Sequence, residues 1–187
     1  MKLCIFTFFL LPALLLQAES TILCVGDSIT EGGKGFSVYR YPLYKMLKGK
    51  DYKFIGSKSS THEGITLQHN GYGGKNTEYL RKNIEKIYRK SPANFVLLHS
   101  GHNNFAKDKP IDGIVKATEQ IIGSIHKINP KAIILIASVI PSGKLPKYGY
   151  IPELNMQLKK LCREDSSGKV ISVDMETSFN WRVDTVN

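Results

Sequence analysis

Short apolar segments alternate with amphipathic segments along most of this chain, and that alternation restricts the possible fold more than any other feature. Five of the apolar segments have the length and residue types of buried strands, and their continuous apolar character is typical of strands covered on both faces, as in parallel sheets. They are Thr21–Val25, Tyr52–Gly56, Asn94–His99, Ala132–Val139 and Lys169–Val173.

Between these segments, apolar residues recur at the spacing of an amphipathic helix. The predicted helices are Val38–Leu47, Thr77–Tyr88, Ile111–Ile128 and Pro152–Cys162. Strand and helix alternate about five times, which predicts an α/β fold: a three-layer sandwich with a five-stranded parallel sheet, flavodoxin-like in architecture. The glycine-rich stretch from Ser57 to Asn76 has little periodicity and is predicted to be a long functional loop.

The N-terminal segment has the layout of a secretory signal peptide. Lys2 precedes an apolar run from Cys4 to Leu16, and Ala18 offers a small residue at a polar boundary. The alternative is a membrane helix, but the run is shorter than the roughly 20 residues that span a bilayer. We therefore expect cleavage near Ala18, an exported (secreted or periplasmic) protein without a stable membrane anchor, and a mature domain over 19–187.

The chain is basic, with a formal net charge of +10. Its lysines are scattered and no nucleic-acid-binding motif accompanies them, so we expect a solvated basic surface and no nucleic-acid partner. Attraction to acidic polysaccharide is a second interpretation. Cys24 and Cys162 remain after signal cleavage; they are able to pair in an oxidising compartment, but a cysteine inside a strand more often packs as a small apolar residue.

A possible nucleophile follows the first predicted strand directly, in the segment Gly26-Asp27-Ser28-Ile29-Thr30-Glu31-Gly32. A serine at the end of a strand presents its hydroxyl at the rim of the sheet, close to a helix N-terminus that favours developing negative charge. The motif by itself fits a helix N-cap equally well, since Asp and Ser are common caps. It is not the G-x-S-x-G nucleophile elbow.

Two further segments favour a catalytic role for Ser28. Asn70-Gly71-Tyr72-Gly73-Gly74-Lys75-Asn76-Thr77 is a glycine-rich loop with Thr77 as its expected helix cap, and its spacing differs from that of phosphate-binding loops. Ser100-Gly101-His102-Asn103-Asn104 follows the third strand. The Asn103 amide is either an oxyanion donor or an ordinary turn asparagine. In a parallel sheet these strand ends share one edge, where ligands bind.

Together these segments resemble the three conserved blocks of the SGNH (GDSL-type) hydrolases. The resemblance assigns the nucleophile to Ser28 and the oxyanion hole to the backbone N–H groups of Ser28 and Gly74 and the Asn103 side chain. It implies hydrolysis of an ester through an acyl-enzyme, with no cofactor and no metal. Arg40–Tyr44 and Phe54–Ser57 also resemble the branch of acetylxylan and other carbohydrate esterases.

The sequence departs from the family pattern in two places. Asn104 stands where an Asp is usual, which affects a supporting hydrogen bond. The family's base lies in an Asp-x-x-His block near the C terminus, but here Asp184 has that spacing to Asn187, and no histidine follows His126. An amide is not a useful base at neutral pH. We expect a C-terminally incomplete domain that lacks its final helix, in preference to a degenerate enzyme, and no efficient turnover by this chain.

The histidines offer few substitutes for that base. His99 is expected to be packed inside the third strand, whereas His62, His69 and His102 are weak candidates, with His69 predicted to line the cleft. The leading hypothesis is an exported deacylase acting on carbohydrate or small-molecule esters. A non-catalytic pseudo-hydrolase that binds a glycan or an ester is the alternative. A lipase or phospholipase-like activity is a third option, and it ranks below deacetylation because the sequence has no long apolar lid.

Overall fold

The computed structural model describes residues 19–33, 38–104, 109–180 and 182–184. The proposed signal peptide, 1–18, lies outside these residues. The strands are β1 (Ser20–Gly26), β2 (Tyr52–Ile55), β3 (Lys58–His62), β4 (Ile65–Gly71), β5 (Phe95–His99), β6 (Ile133–Ala137) and β7 (Val170–Val173). The helices are α1 (Ser28–Glu31), α2 (Arg40–Leu47), α3 (Thr77–Lys90), α4 (Ile111–Ile128) and α5 (Ile151–Glu164).

The strands form one twisted sheet in the order β3-β4-β1-β5-β6-β7, and β2 also pairs with β1. Strand β1 pairs in parallel with β2 along its first half, at Ser20–Leu23, and with β4 at its end, at Val25 and Gly26. Strands β5, β6 and β7 continue the sheet in parallel. The predicted α/β fold with a mostly parallel sheet is therefore confirmed, and the sheet has more strands than the five predicted.

The additional strands arise in the stretch from 57 to 76, and the prediction of a long loop there is wrong. Strands β3 and β4 form an antiparallel hairpin around Glu63 and Gly64. Both turn residues have positive φ, 49° and 76°, as a two-residue type I′ turn requires. The hairpin lacks an apolar period because Leu67 is its only buried apolar side chain, and most of its other residues are polar and at least partly exposed. Polar strands at the edge of a sheet are therefore difficult to recognise from the pattern of apolar residues in the sequence.

Alternate residues of the central strands pack into two separate apolar layers, as the two-residue period of a strand dictates. Leu23 and Val25 face α3, α4 and α5, whereas Ile22 and Cys24 face α2. The two cysteines are free and buried in opposite layers, with Cys162 in the first. Burial raises the pKa of Cys24 to about 12 and that of Cys162 to about 11, so both behave as apolar residues.

The α2 layer covers only part of its face of the sheet. Beside α2, an apolar groove of about 520 Å³ runs across β1, β5, β6 and β7, and His99 lies among its lining residues. In the part of the chain that the structure describes, no helix is long and apolar enough to cross a membrane.

Candidate active site

The register of the sheet brings the three sequence blocks to one edge. Gly26, the last residue of β1, pairs with Gly71 at the end of β4 and with His99 at the end of β5. The three chains leave the sheet side by side, and each candidate residue follows its strand within two to four positions. Ser28, Gly74 and Asn103 therefore lie on neighbouring loops, as the parallel arrangement predicts.

Ser28 is the first residue of the single-turn helix α1, and it is exposed. The N-cap is Asp27, whose Oδ1 accepts a hydrogen bond from the Ile29 N–H at 3.0 Å. The cap interpretation of the motif therefore applies to Asp27, and the Ser28 hydroxyl is left available. No hydrogen bond between described residues uses the Ser28 backbone N–H, which is one of the donors that a helix N-terminus leaves unpaired.

Helix α1 sits so close to the sheet that two strand positions admit only glycine. A Cβ added to Gly26 would lie 2.2 Å from Thr30 Oγ1 of α1 and 2.3 Å from the carbonyl oxygen of His99 in β5. A Cβ added to Gly71 would lie 2.3 Å from the backbone nitrogen of Glu31 and 2.7 Å from the carbonyl carbon of Thr30. These contacts are far inside van der Waals distance, so both glycines are needed for the position of the turn that carries Ser28.

Arg40 fixes the other end of α1. Its fully buried guanidinium donates from Nε to the Thr30 carbonyl at 2.9 Å and from Nη2 to the Glu31 carbonyl at 3.1 Å. Nη2 also donates to Ser60 Oγ at 2.8 Å, which ties α1 to the hairpin. These carbonyls belong to the last turn of a helix, where acceptors have no intrahelical partner. Sequence reasoning gave Arg40 no such role, because the contact depends on how α2 packs.

Glu31 connects α1 to the glycine-rich loop. One carboxylate oxygen accepts a hydrogen bond from the Gly73 N–H at 2.6 Å, and the other pairs with Lys58 of β3. Partial burial acts to raise the pKa of Glu31, but the Lys58 and Gly73 hydrogen bonds outweigh it and hold the pKa below its usual value. Glu31 is a positioning residue that sequence reasoning missed. Its place three residues after Ser28 was the only available signal.

Gly74 and Gly73 differ in whether a described residue accepts a hydrogen bond from the backbone N–H, and only Gly74 fits an oxyanion donor. Its φ of 72° places it in the left-handed region that favours glycine. A Cβ here would meet nothing within 4 Å, and no described residue accepts a hydrogen bond from its N–H. The Gly74 N–H is therefore free for a ligand, whereas Glu31 occupies that of Gly73. The helix cap is Asn76, which accepts from the Tyr79 N–H at 3.0 Å, and not Thr77 as predicted.

The Asn103 side chain reaches the glycine-rich loop. Its Nδ2 donates to the carbonyl oxygen of Lys75, the residue after Gly74, at 2.9 Å. An amide nitrogen carries two hydrogens, so the second is available to another acceptor. The loop of Asn103 is held by Tyr150, whose hydroxyl donates to the Gly101 carbonyl at 2.6 Å. Asn104, the departure noted in the sequence, has a buried Oδ1 without a hydrogen-bond partner among the described residues.

Hydrogen bonds and ring contacts direct the histidines to places other than the Ser28 hydroxyl. His69 is 1% exposed and accepts from the Gly71 N–H at 3.0 Å, so the prediction that it lines the cleft is wrong. Burial lowers the pKa of His69 to about 4. His62 packs against the Tyr41 ring and lies 3.7 Å from Glu63. Across the described ranges, no hydrogen bond joins Ser28 to a histidine.

Asp27, His99 and His102 form a buried cluster directly beneath this edge. The Asp27 side chain is fully buried, and its Oδ2 lies 4.0 Å from His102 Nδ1. His99 is 1% exposed, as its predicted packing inside the strand requires, and its ring centroid lies 5.6 Å from that of His102. Burial raises the pKa of Asp27 and lowers that of His102, and it lowers the pKa of His99 to about 3.

The end of the described chain adds little to the site. Asp184 is exposed, and its Oδ2 accepts from the Asn180 N–H at 2.7 Å. Asn187, at the position where the family pattern has histidine, lies outside the described residues. The roles of Ser28, Gly74 and Asn103 stay predictions.

A mostly parallel α/β sheet with an exposed serine just after its first strand, and with Gly74 and Asn103 on the neighbouring loops, fits the class of ester hydrolases to which the sequence pattern pointed. A family model described as the GDSL-like lipase/acylhydrolase family matches residues 24–185. The chain belongs to this family and is an esterase or acylhydrolase of GDSL type. No curated protein sequence matches it.

Solved structures agree on the fold. A family 3 carbohydrate esterase from Clostridium thermocellum is 24% identical, with a TM-score of 0.71 over 86% of this chain and 81% of that one. A family 3 carbohydrate esterase from Talaromyces cellulolyticus is 16% identical, with a TM-score of 0.71 over 84% and 79%. A mutant acetyl esterase, solved with an acetate ion, is 16% identical, with a TM-score of 0.71 over 83% and 79%.

Proposed function

We propose that this chain is an exported serine ester hydrolase that removes O-acetyl or similar short acyl groups from carbohydrate through an acyl-enzyme on Ser28. The observation that carries the proposal is that described residues leave three candidate donors available on neighbouring loops. These are the backbone N–H groups of Ser28 and Gly74 and the second amide hydrogen of Asn103. All three follow strand ends at one edge of the sheet, where Ser28 is exposed.

In the proposed reaction, Ser28 Oγ attacks the ester carbonyl carbon while its proton passes to a base. The three donors stabilise the negative charge that develops on the carbonyl oxygen. The carbohydrate alkoxide leaves with a proton, which produces an acylated Ser28, and water then releases the acid and regenerates the serine. Preorganised donors are effective here because Glu31 and Arg40 hold α1 against the loops before substrate arrives.

The proposed mechanism needs a base to accept the proton of the Ser28 hydroxyl. Since no described histidine is hydrogen-bonded to Ser28, the proposal includes slow turnover by the 187-residue chain. Added imidazole, which supplies a base in solution, should raise the rate of ester cleavage. Cleavage of a small activated acetate ester is measured with and without imidazole, and the rate of Ser28→Ala is subtracted. Equal rates for wild type and Ser28→Ala under both conditions would overturn the assignment of the nucleophile.

Covalent labelling tests the nucleophile independently. In added imidazole, a fluorophosphonate probe should label Ser28, as located by mass spectrometry of peptides, and the matched control Ser166→Ala, which removes another exposed serine, should label equally. Asn103→Ala should slow labelling by about 100-fold if its amide stabilises the oxyanion. An unchanged labelling rate in Asn103→Ala would return that residue to the role of a turn asparagine.

The substrate class is supported by the likeness of Arg40–Tyr44 and Phe54–Ser57 to carbohydrate esterases and by the names of the structural neighbours. The exposed position of Ser28 suits a substrate that is large beyond its acyl group. Release of acetate from acetylated xylan, compared with release of long-chain acids from lipid esters, measures the preference. Faster cleavage of long-chain esters would favour the lipase hypothesis instead.

The absence of a hydrogen bond between Ser28 and a described histidine also favours a second candidate, a pseudo-hydrolase that binds the ester without cleaving it. Calorimetric binding of an acetylated oligosaccharide, with no acetate released even in imidazole, would support this candidate. Export is tested separately by fractionation and by sequencing of the mature N terminus, which should begin near Glu19. Retention of Met1 in a protein found only in the cytoplasm would contradict it.

A further inference from the structure

The buried cluster of Asp27, His99 and His102 presents three potential ligand atoms to one point. One carboxylate oxygen and one nitrogen from each ring all lie within 4.8 Å of one another. Asp27 and His99 are 0% and 1% exposed, and the His102 side chain is 13% exposed. Asp27 Oδ2, His102 Nδ1 and both nitrogens of His99 have no hydrogen-bond partner among the described residues.

Such an arrangement is costly without a bound group. His102 Nε2 bonds to the carbonyl oxygen of Ile140 at 2.8 Å, so it must carry the proton. In a neutral ring the Nδ1 lone pair then faces the Asp27 Oδ2 lone pairs at 4.0 Å. That distance is too long for a hydrogen bond between them. Buried polar atoms without partners destabilise a fold, which makes a cluster of them an exception that needs an explanation.

We propose that Asp27, His99 and His102 bind a divalent transition-metal ion, with Zn²⁺ as the best match. Two imidazoles and one carboxylate suit zinc and its first-row neighbours better than the all-oxygen sites of Mg²⁺ and Ca²⁺. Neighbouring ligands of a tetrahedral zinc ion lie about 3.4 Å apart, given bonds of about 2.1 Å. The 4.0 Å between Asp27 Oδ2 and His102 Nδ1 therefore closes by a small rotation of either side chain.

The surroundings of the cluster agree with this assignment. A metal-binding histidine usually donates its other N–H to a carbonyl or carboxylate, which orients the ring, and His102 does so to Ile140. His99 and His102 lie three residues apart at the end of β5, and Asp27 follows the end of the adjacent strand β1.

The position of the site suggests what the ion does. Asp27 directly precedes Ser28 and caps α1, and His102 directly precedes Asn103. An ion between them joins the turn that carries the serine to the loop that carries the amide. The ion is structural in this proposal: it positions the two loops and takes no part in bond cleavage. The proposal does not depend on esterase activity, and its tests do not measure it.

The primary experiment uses the untagged, metal-free mature chain. Competition with a chromophoric zinc chelator should give one Zn²⁺ per chain, and Zn²⁺ should raise the melting temperature. Co²⁺ in place of Zn²⁺ should produce the visible ligand-field absorption of a site with nitrogen ligands. A stoichiometry well below one at micromolar zinc, or no shift in melting temperature, would overturn the proposal.

Matched variants locate the site. Asp27→Asn keeps the oxygen that caps α1 but removes the charge, and it should weaken zinc binding by at least about 100-fold while the chain stays folded. His99→Leu should abolish binding, and if this variant does not fold, Asp27→Asn alone decides. His62→Gln, which removes a partly exposed histidine away from the cluster, should bind like wild type. Equal affinities for Asp27→Asn and His62→Gln would show that the zinc is bound elsewhere and would refute the site.

Discussion

Because helix α1 packs closely against strand β4, the addition of one methyl group at Gly71 should strongly destabilise the fold. Gly71 is extended strand backbone, so alanine meets no conformational penalty there, and the question is only one of space. The added Cβ would lie 2.3 Å from Glu31 N, 2.5 Å from Glu31 Cα and 2.7 Å from the Thr30 carbonyl carbon. Ordinary contact begins at 3.4 Å, so α1 must move by about 1 Å relative to β4.

The obstructing atoms are backbone, and two anchors resist their movement. Arg40 holds the carbonyls of Thr30 and Glu31, and Gly73 holds the Glu31 carboxylate. Overpacking a core commonly costs about 1–3 kcal/mol. Because no flexible side chain is available to yield here, we expect Gly71→Ala to lose about 3 kcal/mol or more of the free energy of unfolding. The same shift displaces Ser28, so labelling of Ser28 should slow as well.

The matched control is Gly123→Ala in helix α4. A Cβ at Gly123 meets nothing within 4 Å, and alanine in a helix interior is favoured over glycine by about 0.5–1 kcal/mol. The same substitution should therefore destabilise at one position and stabilise at the other. Urea unfolding followed by circular dichroism measures both. A Gly71→Ala variant whose unfolding free energy stays within about 0.5 kcal/mol of wild type, against the usual cost of overpacking, would refute the close packing of α1 on β4.

Two further predictions concern buried groups around the site. Burial lowers the pKa of His69 from its ordinary 6.5 to about 4, so its neutral form stabilises the fold fully above pH 6.5, and about 3 kcal/mol of stability is lost as the pH falls to 4. In urea unfolding, His69→Gln should therefore reduce the loss of stability between pH 6.5 and 4, whereas the control His62→Gln should not. Equal losses in the two variants would contradict the assignment of this pH dependence to His69. Arg40→Lys replaces the planar guanidinium with a single ammonium that cannot reach both carbonyls of α1. Thermal unfolding should show that the variant loses about 2–4 kcal/mol of stability. A loss below about 1 kcal/mol would show that a single positive charge is enough to hold α1.

Much of the architecture could be predicted from the sequence because it depends on neighbours along the chain. The apolar runs that become β1, β5, β6 and β7 are recognisable from their own residues, and the helices between them from their spacing. The hairpin of β3 and β4 was missed for the complementary reason. Its strands are mostly polar and acquire their structure from pairing with each other, so no local periodicity marks them.

The sequence by itself determined the alternation of strand and helix, the family, and the loops that carry Ser28, Gly74 and Asn103. Only the tertiary structure decided which polar groups meet across those loops. Glu31 reaches Gly73 over 42 positions, and Asp27 faces His99 and His102 because β1 and β5 end in register at Gly26 and His99. A local pattern encodes which face of an element is buried, but the partners of a buried charge are set by strand order and register, which no segment contains alone.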